Sequence, residues 1–165
     1  MKAITLFILC FIVPACGIDD RNDWYRHPAV DPPEMKPEIP EESLRKILMN
    51  FLDDCGVKHK ANVFEVNKIE YIRYGDVATE EMPTRVGICV TYTYESVLFK
   101  SNITVKKMNT EVSMKALLYH ELGHCILGLG HTKEFDTMMS PFMLDDEYYK
   151  ANWNKLVKDM CNKYE

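Results

Sequence analysis

The sequence predicts an α+β domain, and three observations carry that prediction. Apolar residues recur at three- and four-residue steps in three separate segments, the mark of amphipathic helices. Between the first and second of these lie runs rich in Val, Ile, Tyr and Thr, which read as strands. The composition is that of a folded chain: of 165 residues, 47% are hydrophobic and 27% charged, ordinary for a globular protein and wrong for a disordered one. This length suits one domain with a short appendage. The charge is mildly negative, 20 basic against 25 acidic residues for a net −5. Without a run of about five or six basic residues, a nucleic-acid partner is not expected.

The N-terminus reads as an address. Lys2 precedes an apolar run, Ala3 to Val13, which has the layout of a secretory signal and is too short to remain as a membrane span. The next residues, Val13-Pro14-Ala15-Cys16-Gly17, resemble the lipobox of bacterial lipoproteins. That resemblance implies cleavage before Cys16, a lipid anchor on Cys16, and, with Gly17 next, sorting to the outer membrane. Ordinary cleavage after Ala15, giving a secreted or periplasmic soluble protein, is the alternative. Either way the mature domain is expected to leave the cytosol, touching a membrane only through the lipid. Cleavage before Cys16 removes Lys2 and leaves 19 basic against 25 acidic residues, a net −6.

Residues 1–15 are therefore set apart as signal peptide and 16–40 as a Pro-rich tether. Pro28, Pro32, Pro33, Pro37 and Pro40 fall in the latter among scattered charges, and such a stretch packs no core. An inhibitory propeptide, with an Asp such as Asp31 reaching a metal, is the other role open to it. The folded domain is expected over 41–165.

Within that domain, Pro40, Glu41 and Glu42 suit a helix's first turn, and Leu44, Ile47, Leu48, Phe51, Leu52 and Cys55 form its apolar stripe. Gly56 stands where a C-terminal cap belongs. Residues 62–74 read as one strand or two short ones before Gly75-Asp76. Arg85–Tyr94 and Val97–Lys106, parted by Glu95-Ser96, read as a hairpin. Asn109 or Thr110 can cap a second helix running to about Leu129. Asp145 or Asp146 begins a third, with Tyr149, Trp153, Leu156, Val157 and Met160 on one stripe.

Cys10 leaves with the signal, and Cys55, Cys89, Cys125 and Cys161 remain in the exported domain. An even number in an oxidising compartment suggests two disulfides, with three pairings open. A cysteine zinc site is disfavoured because no two lie at a C-x₂₋₄-C spacing.

The chemistry concentrates in His120-Glu121-Leu122-Gly123-His124, followed by Gly128, Gly130 and His131. On a helix, residues i and i+4 share a face, so His120 and His124 can grip one ion. Glu121 projects beside that ion, where a base for metal-activated water belongs. Met114, Leu118, Leu122, Cys125 and Leu129 fall on the opposite, core-facing side. This is the H-E-x-x-H arrangement of zinc metalloproteases. Gly128 and Gly130 sit where the helix must end and the backbone turn, letting His131 swing back as a third ligand.

With Thr137-Met138-Met139-Ser140-Pro141 downstream, the chain resembles the metzincins, whose H-E-x-x-H-x-x-G-x-x-H motif is followed by a methionine turn under the metal. Met139 lies eight residues past His131, a matrixin-like spacing. The resemblance implies a small zincin-type catalytic domain: a twisted, mostly parallel sheet with an antiparallel edge strand, an active-site helix and a C-terminal helix. It implies one catalytic Zn²⁺ on His120, His124 and His131, with Glu121 as general base in peptide-bond hydrolysis. It further implies that an extended peptide lies along an edge strand, best placed at 86–93, with Pro141 to Met143 walling the pocket beyond the cleaved bond. The layout would set Cys89 opposite Cys125, and Cys55 and Cys161 at the ends of two outer helices, hence pairings Cys89–Cys125 and Cys55–Cys161.

Two departures stand out. Seven steps separate His124 from His131 where the family has six, which keeps Asp136 and Glu134 open as alternative third ligands. The position two after Met139 is Pro141, so the extra Tyr ligand of some zinc proteases is absent. Glu147 would serve only a thermolysin-like arrangement, which the methionine turn argues against. His27 and His59 are read as bystanders, and Asn102-Ile103-Thr104 as a sequon relevant only to a eukaryotic secretory route. The expected activity is that of a monomeric zinc endopeptidase acting on proteins or peptides. The alternatives are a catalytically inactive surface binding module of the same fold, and hydrolysis of a non-peptide amide such as a cell-wall linkage.

Overall fold

A computed structural model of the chain describes residues 37–56, 66–94 and 97–162. All of them fall in one unit, Pro33–Glu165. The signal segment, Cys16, His27, Asp31 and His59 lie outside the described residues, as do the residues joining the two strands of the expected hairpin.

Among the described residues are three helices and three strands: α1 (Glu42–Asp54), β1 (Ile69–Tyr74), β2 (Gly87–Tyr94), β3 (Val97–Val105), α2 (Glu111–Cys125) and α3 (Asp146–Asn162). The α+β expectation is met. The sheet runs in the order β1-β3-β2, with β1 parallel and β2 antiparallel to β3. Among the described strands it is thus a three-stranded mixed sheet, with a single parallel ladder in place of the mostly parallel sheet expected. β2 lies at one edge, antiparallel as anticipated.

Each helix forms where its sequence pattern and caps direct. In α1 the predicted stripe of Leu44, Ile47, Leu48 and Phe51 is buried, and Gly56 closes the helix at a φ of 62°. Thr110 caps α2 by accepting the Ser113 N–H at 3.1 Å. The Asp145 carboxylate likewise accepts the Tyr148 N–H at 2.8 Å to start α3. Two boundaries differ from the sequence reading. α2 ends at Cys125, a turn short of Leu129, because Gly128 takes a φ of 63° that no continuing helix can hold. The described part of the 62–74 segment opens with a helical turn, and β1 starts only at Ile69; Asn67 and Lys68 are weak strand formers.

Residues 38 and 39, placed by sequence at the end of the tether, belong to the packed unit. Glu38 pairs with Tyr71 beside β1, and Ile39 is buried. This covers the outer side of β1.

α2 is the hub: it packs on β2 and β3 and against α1 and α3. The core that surrounds it joins Phe51, Ile69, Ile72, Ile103, Leu117, Leu118, Leu122, Leu156 and Met160. Tyr119 sits at its centre, edge-on to Phe51 at 5.3 Å and to Trp153 at 5.0 Å, with its hydroxyl donating to Asp54 at 2.7 Å. Two disulfides staple the assembly, Cys55–Cys161 between the ends of α1 and α3 and Cys89–Cys125 between β2 and α2. These are the two pairings the expected layout favoured. Asn102 is buried on the central strand, which leaves no room for a glycan.

Candidate metal centre and cleft

α2 brings its polar ridge to a cleft of about 1300 Å³ bounded by β2 on one side and by the segment Ser140–Met143 on the other. His120 and His124 face each other one turn apart, with their Nε2 atoms 3.0 Å apart. The strap after Gly128 returns His131, whose Nε2 lies 3.1 Å from that of His120. The three ligand atoms all fall within 4.8 Å of one another. Tetrahedral zinc ligands, each about 2.05 Å from the ion, stand roughly 3.3 Å apart, so the spacing fits a shared cation.

The outer nitrogens of the helical pair are committed elsewhere. His120 Nδ1 donates to the Met138 carbonyl at 2.8 Å, and His124 Nδ1 to the Leu129 carbonyl at 2.5 Å. Each bond fixes the tautomer that leaves Nε2 as a bare acceptor, the usual outer support of a metal ligand. Burial, reinforced by the neighbouring imidazoles and opposed by the Met138 carbonyl, brings His120 down to about 4. Burial also lowers His124, chiefly against the pull of the Leu129 carbonyl. Neutral rings crowded lone pair to lone pair are what a cation site requires.

The strap is tied to the methionine turn beneath. Thr132 N–H donates to the Met139 carbonyl at 3.0 Å, and the Thr132 and Thr137 hydroxyls meet at 2.6 Å. Met139 is buried under α2 at Gly123, where a Cβ would come within 2.7 Å of its sulfur. The backbone between His124 and His131 turns at Gly128, while Gly130 stays outside the left-handed region. Glu134 and Asp136 do not join the cluster; they line a smaller pocket beside Lys155 and Asp159. Glu147 pairs with Lys150 on the outside of α3.

Glu121 lies beside the triad and against the edge strand. It is 4% exposed. Burial pushes its carboxyl up to about 7, against the Cys89 main-chain N–H that donates to it and the nearby Arg85 charge. Gly87 makes this approach possible, since a Cβ there would collide with the Glu121 carboxylate. Sequence reasoning placed the three histidines and Glu121 but missed Gly87, Arg85 and the Cys89 N–H. A strand's i, i+2 alternation from Arg85 to Cys89 could have put them on one face, and the expected Cys89–Cys125 pairing was the signal that this face meets α2.

Pro141, Phe142 and Met143 form the opposite wall. Phe142 stacks on Phe135 at 5.9 Å, both rings about two-thirds exposed at 65% and 66%. Among the described residues the histidine triad is the one group of three or more His, Cys, Asp or Glu placed to share an ion. No protein-family model, curated protein or solved structure matches the chain. The two disulfides point to an exported protein, and among the described residues no helix is long and apolar enough to cross a membrane.

Proposed function

We propose that this chain is a metzincin-like zinc endopeptidase that works outside the cytosol, held to the outer membrane through Cys16. One observation carries the reading. Three imidazoles converge through Nε2, with the helical pair locked by main-chain carbonyls, and a buried carboxylate stands between them and an open sheet edge.

His120, His124 and His131 would hold the ion through their Nε2 atoms. Zinc so bound supplies Lewis acidity, polarising the scissile carbonyl and making water more acidic. Glu121 accepts the proton of the attacking water and hands it to the departing amine. Cys89 N–H keeps the carboxylate aimed into the cleft. β2 offers its outer edge to an extended peptide, whose main chain it aligns by strand addition. The substrate is a protein or peptide, and the enzyme acts as a monomer.

The test is Glu121→Gln in the mature protein. Zinc should stay bound at one per chain while turnover of a peptide library falls by roughly 10²–10⁴-fold. Undiminished cleavage would remove Glu121 from the mechanism. One zinc per native chain with no cleavage of any peptide would favour an inactive binding module.

A further inference from the structure

We propose that Arg85 binds a carboxylate of the substrate, so that the cleft selects peptides carrying a negative charge near the cleaved bond. The inference rests on the peptidase reading and specifies its substrate class.

Arg85 is half-buried in the cleft wall just before β2. Arg85 closes a turn, its N–H donating to the Met82 carbonyl at 3.2 Å, and the chain runs extended from Val86, whose carbonyl accepts the Lys106 N–H at 2.7 Å and continues the ladder. Residues 85, 87 and 89 therefore share one face. That face is the one against α2, because Gly87 abuts the Glu121 carboxylate and Cys89 is bonded to Cys125. Arg85 thus projects into the same space as the base, and its charge is felt there.

The guanidinium arrives there nearly unspent. Among the described residues its side chain meets one acceptor, the thioether of Met82. A thioether is a weak acceptor, while a guanidinium presents five donors in a planar fork matched to a carboxylate. Arg85 is also the only Lys or Arg among the described residues that line the cleft. In a chain of net −5, a lone cation beside the site is not background. Glu121 is already engaged by the Cys89 N–H, and Glu81 is exposed at the rim.

Position along the strand gives the subsite. Arg85 stands two residues before Gly87, about 7 Å along an extended chain. A peptide added antiparallel to β2 runs its C-terminal side toward that end of the strand. The bound carboxylate then lies about two residues beyond the cleaved bond. Two sources share this chemistry: an acidic side chain, or the peptide's own C-terminus.

The experiment uses the zinc-loaded mature protein and a cleavable peptide taken from a library digest. Five versions are compared: Glu, Gln or Lys two residues after the cleaved bond, and a chain ending there as free acid or amide. The charged member of at least one pair should be favoured about tenfold in kcat/KM, and Arg85→Ala should bring that ratio to within twofold of one. Arg85→Glu should instead favour Lys at the same position, a gain that no misfolded variant produces. A preference for the free acid alone assigns the subsite to the chain terminus; a preference for Glu assigns it to side chains. Ratios near one in the native protein, or ratios unmoved in Arg85→Ala, overturn the proposal. Binding of the same labelled peptides to Glu121→Gln separates this outcome from failure of the peptidase reading. If no version is cleaved, carboxylate-dependent binding abolished by Arg85→Ala still upholds Arg85's role, and charge-independent binding refutes it.

Discussion

His120 and Glu121 are neighbours that burial displaces in opposite directions along the pH scale. Glu121 rises from an ordinary value near 4.5 to about 7, so the folded metal-free chain holds its proton more tightly than the unfolded one. That stabilisation is complete below about pH 4.5 and is lost as pH climbs through 7. His120 falls from 6.5 to about 4, so it costs stability as pH drops from 6.5 toward 4. Between these limits the two slopes oppose each other. Glu121→Gln removes one of them: relative to the native chain, the zinc-stripped variant should gain on the order of 2–3 kcal/mol between pH 4.5 and 7. Urea unfolding at a series of pH values reads the difference, and a constant offset would contradict it. His120, His124 and Glu121 are legible in the sequence because their spacing on one helix fixes their mutual placement before anything else is known. Arg85 and Gly87 are not, because their roles arise from a contact between a strand and a helix more than thirty residues away.

At the level of elements, the edge strand β2 and the helix α2 act as one piece because Cys89–Cys125 joins them. The bond sits one residue past His124 and at the very residue whose N–H orients Glu121. Replacing both cysteines by Ala opens a 36-residue loop, which in the chain-entropy view costs about 4 kcal/mol. The double variant should therefore melt at lower temperature and lose kcat out of proportion to its zinc content, as measured by metal analysis and initial rates on the same sample. Equal losses of folding and rate would leave the bond a purely structural staple. The helices were legible as elements because each carries its stripe and its cap, Thr110 and Asp145 included. The end of α2 was not. Leu127 and Leu129 continue the apolar period, and only the φ adopted at Gly128 breaks it. The sheet's mixed order was equally hidden, since parallel pairing of β1 with β3 depends on a crossover that no local pattern encodes.

For the molecule as a whole, the second disulfide and the histidine triad close the two ends of the same core. Cys55–Cys161 spans 106 residues and pins α1 to α3, while the triad pins the strap 126–131 and the methionine turn to α2. An ion held by the folded state alone stabilises it by about 4 kcal/mol at a thousandfold excess over its Kd. For a domain of this size that corresponds to a melting shift of roughly 10 °C or more. Thermal scans of zinc-loaded and chelator-treated protein should differ by this amount, and His131→Ala should erase most of the gap. An unchanged melting point on loading would deny the triad any role as a cation site.

The unequal exposure of the three imidazoles has a kinetic consequence. Two belong to a rigid helix and are half-buried, whereas His131 stands exposed on the strap. An ion bound by the triad would seat first on the paired rings and be latched by His131 afterwards. Departure would reverse that order, and the strap would set how long each cation stays.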